Sequence, residues 1–72
     1  MNHYKRMEIL FLPTERGMIK VHIYGYIRPR SLGHVFAEFN NVTVDAKGYN
    51  RNKTIIKTLT CLHNTLVNNK DS

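Results

Sequence analysis

The stretch Met18–Arg30, MIKVHIYGYIRPR, constrains this chain more than any other. Its odd positions read Ile19, Val21, Ile23, Gly25 and Ile27, and its even positions read Lys20, His22, Tyr24, Tyr26, Arg28 and Arg30. Successive residues of a strand point to opposite faces, so the alternation predicts a strand with one apolar side and one aromatic, basic side. The β-branched and aromatic residues that dominate it suit a pleated, half-buried surface.

The flanking segments extend this into a sheet. Lys5–Leu12 reads as a first strand, with Met7, Ile9 and Phe11 on one face and Glu8, Leu10 and Leu12 on the other. Pro13, lacking an amide proton, is expected to end its pairing. Thr14-Glu15-Arg16-Gly17 supplies turn chemistry for an antiparallel hairpin. Leu10 and Leu12 make their face unusually apolar and are expected to cover the edge of the tyrosine stripe or to seal a dimer. Pro29 closes the central strand and Arg30-Ser31-Leu32-Gly33 forms a second turn. His34–Phe39 alternates as a third strand. Asn40-Asn41 tolerates positive φ and predicts either a hairpin into a short fourth strand, Val42–Ala46, or a bulge in one bent strand.

Beyond Lys47-Gly48-Tyr49, either Asn50 or Asn52 suits the N-cap of a helix. Its apolar set, Ile55, Ile56, Leu59, Leu62 and Leu66, recurs at three- and four-residue spacings, with Lys53, Lys57, Thr60 and Asn64 opposite. Residues 68–72 read as a polar tail and residues 1–4 as a frayed start. The expected architecture is a single α+β domain over residues 1–72, β-β-β-(β)-α, with a three- or four-stranded antiparallel sheet and the helix packed on Ile19, Val21, Ile23, Val35, Ala37 and Phe39.

Seventy-two residues lie near the lower limit for folding without a staple, and Cys61 is the single cysteine, so no intrachain disulfide forms and a homodimer would relieve the small core. That cysteine usage and the lack of a membrane-length apolar run or a signal-peptide core predict a cytoplasmic protein. Eleven Lys+Arg against five Asp+Glu give a formal charge of +6. Arg28, Arg30, Lys47, Arg51, Lys53 and Lys57 cluster in a region whose acids are Glu38 and Asp45. Such a balance favours polyanionic partners, nucleic acid first.

Two binding surfaces follow. On the uncovered sheet face, Lys20, His22, Tyr24, Tyr26 and Arg28, with Phe36 a further candidate and Arg30 in the turn that follows, suit either stacking of single-stranded bases with phosphate contacts or a protein interface, a solvated surface being the plain alternative. At the helix start, Lys47, Tyr49, Arg51, Lys53 and Lys57 surround amides that favour anions. The segment VDAKGYNRNKTIIKTL resembles the end of a double-stranded RNA-binding domain, in which a strand leads through a glycine turn into a lysine-rich helix start. That resemblance implies phosphate-binding roles for Lys47, Arg51, Lys53 and Lys57. Arg51-Asn52-Lys53 stands where the family has Ser-Lys-Lys, bulky Ile55, Ile56 and Leu59 replace its alanines, and its N-terminal helix is missing. Gly33-His34 at a strand start, with Val42-Thr43-Val44 and a C-terminal helix behind it, also resembles small toxin ribonucleases of HicA type. In that family such a histidine acts as general base, although there one residue separates it from the glycine.

No phosphate-binding glycine loop, nucleophile elbow, paired carboxylates or zinc-site spacing is present in the sequence. No cofactor or metal is expected, and the chain reads as a non-enzymatic binding protein for RNA or DNA. The alternative is an accessory protein of phage or mobile-element kind that inhibits a host nucleic-acid-handling complex through protein contact.

Overall fold

The computed structural model describes residues 7–70, the side chains of 69 and 70 excepted. Strands β1 (Met7–Thr14), β2 (Gly17–Gly25), β3 (Gly33–Phe39) and β4 (Val42–Gly48) precede helix α1 (Arg51–Lys70). The strands form one four-stranded antiparallel sheet in the order β1-β2-β3-β4, with α1 packed across β3 and β4. This is the expected α+β fold, and Asn40-Asn41 is a hairpin turn, with Asn40 at φ 57° and Phe39 paired to Val42. Among the described residues no helix is long and apolar enough to cross a membrane.

Turn chemistry sets the first register. Thr14 and Gly17 pair across Glu15-Arg16, and the Thr14 hydroxyl both donates to the Gly17 carbonyl (2.8 Å) and accepts from the Arg16 amide (3.1 Å). A pair that flanks a two-residue loop exchanges backbone hydrogen bonds, so alternation turns the polar groups of Pro13 away from β2. Pro13 therefore lies within β1, opposite Met18, rather than ending it. Its missing donor faces the free edge of the sheet, the place where a strand tolerates proline.

The same register decides which side of β1 meets the helix. Leu10 opposes Val21 and Leu12 opposes Ile19, so Leu10 and Leu12 join the helix side, where Leu12 packs on the core. They do not border the tyrosine stripe. Met7, Ile9 and Phe11 do, opposite Tyr24, His22 and Lys20.

The core consists of Val21, Ile23, Val35, Ala37 and Phe39 from the sheet and Leu62 from the helix. Two threonines, Thr54 and Thr58, are buried beside them. Their hydroxyls donate to the Asn50 and Thr54 carbonyls (both 2.7 Å), so a polar group enters the core already satisfied by its own helix. A Cβ at Gly48 would stand 2.5 Å from the Thr54 hydroxyl, which is how closely the helix start approaches β4. Thr54, Thr58 and Leu62 recur every four residues and centre the buried stripe, with Ile55, Leu59 and Leu66 half-buried alongside. Ile56, expected in the core, is rotated out and 63% exposed, and Cys61 is exposed as well. Asn50, not Asn52, caps the helix: its side-chain oxygen accepts from the Lys53 amide at 3.0 Å. At its other end α1 continues through 68–70, where the sequence suggested a polar tail. The expected frayed start at 1–4 and the tail residues 71–72 lie outside the described residues.

Candidate nucleic-acid interface

The uncovered face of the sheet is built from rows of opposed residues. One row runs Met7, Tyr24, His34, Lys47; the next runs Ile9, His22, Phe36, Asp45; a third runs Phe11, Lys20, Glu38, Thr43. Phe36 is the hub. Tyr24 meets it edge-on with ring centroids 5.7 Å apart, and His34 lies tilted over it at 4.2 Å. The His34 ring Nε2 and Asp45 Oδ2 are 2.6 Å apart, and His22 Nε2 lies 3.8 Å from Glu38 Oε1. Sequence reasoning had singled out His34 but missed its partner. Only the strand pairing brings positions 34 and 45 into adjacent rows, and no local spacing signals it.

This face is less basic than its alternation promised. Lys20 and Lys47 are balanced by Glu38 and Asp45 on the same side, and its β1 border is apolar, with Met7, Ile9 and Phe11 all exposed. Two of the expected members leave it. β2 ends at Gly25, whose φ is +86°, and Tyr26 follows at φ 55°. Those two left-handed residues break the pleat and send the Tyr26 ring to the helix side, against the core and close upon Gly33. There it borders a small recess of about 60 Å³ with Glu8, Ile23 and Arg51. The Tyr26 hydroxyl is buried and, among the described residues, has no hydrogen-bond partner. Burying a hydroxyl without a partner costs about 1–3 kcal/mol. Tyr26→Phe is thus expected to hold or raise the melting temperature in a circular-dichroism melt, whereas a fall would show the hydroxyl to be bonded.

Arg28 likewise belongs to the β2–β3 loop. Ser31 closes that loop, its hydroxyl donating to the Arg28 carbonyl (2.8 Å) and accepting from the Arg28 amide (3.2 Å). Arg30 sits in it at φ 66°.

The helix-start group is also divided. Register places Lys47 on the uncovered face, across the sheet from α1. Arg51 is engaged, its Nε and Nη2 both donating to Glu8 Oε1 at 3.1 and 2.6 Å. Lys53 and Lys57 remain exposed on the helix, and Tyr49 is 66% exposed in the junction.

What the topology does bring together is an end of the domain. The β2–β3 loop, the last residues of β4 and the first turns of α1 all lie where β2 finishes and β3 begins. Arg28, Arg30, Lys47, Lys53 and Lys57 gather there, and among the described residues none of them has a carboxylate within 4.0 Å. The two acids at that end, Glu8 and Asp45, are held by Arg51 and His34. The opposite end carries the Glu15-Arg16 turn and an apolar groove of about 720 Å³ between the β1–β2 hairpin and the second half of α1. Leu12, Ile19, Leu59 and Leu66 line this groove, with Arg16 and His63 at its rim. Among the described residues no three His, Cys, Asp or Glu side chains come close enough to hold a metal ion.

No protein-family model, curated protein or solved structure matches this chain.

Proposed function

We propose that this domain binds nucleic acid at its basic end, with Arg28, Arg30, Lys47, Lys53 and Lys57 on the phosphate backbone. The observation that carries the reading is the set of five cations at one end that, among the described residues, have no carboxylate within 4.0 Å, beside Glu8 paired with Arg51 and Asp45 in contact with His34. A single polyanionic strand satisfies such a cluster better than scattered counter-ions do, because each neutralised phosphate releases a condensed cation. Tyr24 and the His34–Phe36 stack adjoin the cluster through the Tyr24–His34–Lys47 row. They offer aromatic faces for unpaired bases, which favours a single strand over a duplex.

The test is fluorescence anisotropy with labelled single- and double-stranded RNA and DNA, titrated across a series of salt concentrations. The plot of log affinity against log salt is expected to slope at roughly −2 to −4, the range for three to five phosphate contacts. The single-stranded forms are expected to bind more tightly and to lose that advantage in Tyr24→Ala. A slope shallower than about −1, or no binding at low salt, would overturn the reading.

A further inference from the structure

The free edge of β1 is a second feature that the basic end leaves unexplained. In a four-stranded sheet of order β1-β2-β3-β4, β1 and β4 are the edges. β4 carries Asp45 and Lys47 and has α1 packed against it. Among the described residues no element packs on β1 as α1 does on β4, and its charge and its proline, Glu8 and Pro13, stand toward its two ends. Between Glu8 and Pro13 it reads Ile9-Leu10-Phe11-Leu12, without a charge, and Glu8 is tied to Arg51. Natural edges are normally blunted by charge, proline, bulges or a covering element, since unpaired amides and carbonyls template another strand.

Backbone alternation fixes what this edge offers. With Thr14 and Gly17 as a hydrogen-bonded pair, Leu12, Leu10 and Glu8 turn their polar groups to β2, while Met7, Ile9 and Phe11 turn theirs outward. Those outward groups sit on a strand apolar on both sides: Met7, Ile9 and Phe11 are 48%, 41% and 56% exposed on the uncovered face, and Leu10 is 36% exposed on the other. Among the described residues six hydrophobic side chains are buried, eight more pack half-buried against them, and eleven large ones are exposed.

We propose that β1 pairs antiparallel with β1 of a second copy, joining two four-stranded sheets into one continuous sheet. The strand is complementary to itself. A two-fold axis at Ile9 sets Ile9 against the partner's Ile9 and Met7 against the partner's Phe11, so every outward amide and carbonyl from Met7 to Phe11 meets its counterpart. Pro13, with no amide to offer the edge, stops the ladder beyond it. The antiparallel arrangement carries the two basic ends to opposite extremes of the dimer, where chains of +6 charge repel each other least. Each copy spends its β1 edge on the two-fold contact, so the assembly closes at two.

Sedimentation velocity on the full chain at roughly 100 µM, far above a micromolar Kd, is expected to give twice the 8.4 kDa chain mass. Hydrogen exchange on the same sample is expected to show the outward amides of Ile9 and Phe11 protected alongside those of Leu10 and Leu12. Ile9→Lys is expected to restore the monomer mass with the circular-dichroism spectrum kept. Met18→Lys, on the same face but on β2, is expected to leave the dimer intact. A monomer with fast exchange at Ile9 and Phe11 overturns the proposal. So does a dimer broken by Met18→Lys but not by Ile9→Lys, which would mean face-to-face packing. Protection at Ile9 and Phe11 only after adding an extended peptide would assign the edge to a foreign strand instead. The exchange pattern of the unaltered chain decides the matter even where Ile9→Lys fails to fold.

Discussion

Reversing three charges together, Arg28→Glu, Arg30→Glu and Lys53→Glu, is expected to lower affinity for labelled RNA or DNA by roughly a hundredfold or more at low salt. Each change removes one phosphate contact and adds one repulsion, so the salt slope should also flatten by about 2 to 3. The three side chains are exposed, and among the described residues none makes a hydrogen bond or ion pair. The fold should therefore persist. Lys53→Glu even places an acid in the first turn of α1, where the helix dipole favours it, so a loss of binding cannot be ascribed to a weakened helix. Lys20→Glu supplies the control. It lies on the uncovered face opposite Glu38, along β2 from the basic end, and is expected to change affinity only a few-fold. Anisotropy titrations of the triple variant and this control, at matched salt, separate a localised site from general attraction to a +6 chain. Equal losses in both would remove the basic end as the site.

Much of the sheet was legible because period-2 alternation is a direct consequence of strand geometry. Ile19, Val21 and Ile23, then Val35, Ala37 and Phe39, announce an inward set that the structure places under the helix. Alternation names two faces of a strand but not which of them meets the core. For β1 that choice rests on the register Thr14↔Gly17, and a slip of one residue would exchange Leu10 and Leu12 for Ile9 and Phe11. Alternation also extrapolates past the point where the chain leaves the pleat. Nothing in YGYIRPR distinguishes Tyr24 from Tyr26 by period, yet two positive φ angles place them on opposite sides of the sheet. In the helix, hydropathy overlooked Thr54 and Thr58, because a threonine that bonds to the carbonyl four residues back behaves in a core like a small apolar residue. The Arg51–Glu8 pair joins residues 43 positions apart and appears only when β1 and the start of α1 are placed in one frame. What the sequence presented as one basic helix start is thus three different situations: Arg51 engaged, Lys47 across the sheet, and Lys53 and Lys57 open to solvent.

Gly25→Ala is expected to cost roughly 2–4 kcal/mol of folding stability, seen as a melting temperature lower by about 10–25 °C for a domain this small. Two penalties add. Alanine at φ +86° occupies a backbone region open to glycine and strained for other residues, at about 1 kcal/mol. Its Cβ would also stand 2.6 Å from the Leu32 carbonyl oxygen and 2.9 Å from the Gly33 Cα, both backbone atoms that cannot rotate aside. Relief requires opening the end of the β2–β3 pair, where Gly25 faces Gly33 and the Tyr26 amide donates to the Leu32 carbonyl at 3.3 Å. Gly25→Asn separates the two penalties, since asparagine accepts positive φ but carries the same Cβ. If the close approach dominates, Asn will recover less than half of the stability that Ala loses; recovery of nearly all of it would mean that φ alone matters. The consequence reaches the basic end, because this turn both carries Tyr26 beneath the sheet and starts the loop that holds Arg28 and Arg30. Well below its melting temperature, the alanine variant is therefore expected to bind nucleic acid more weakly than its folded fraction predicts, whereas Tyr26→Phe, which leaves the turn intact, is expected to bind as the unaltered chain does.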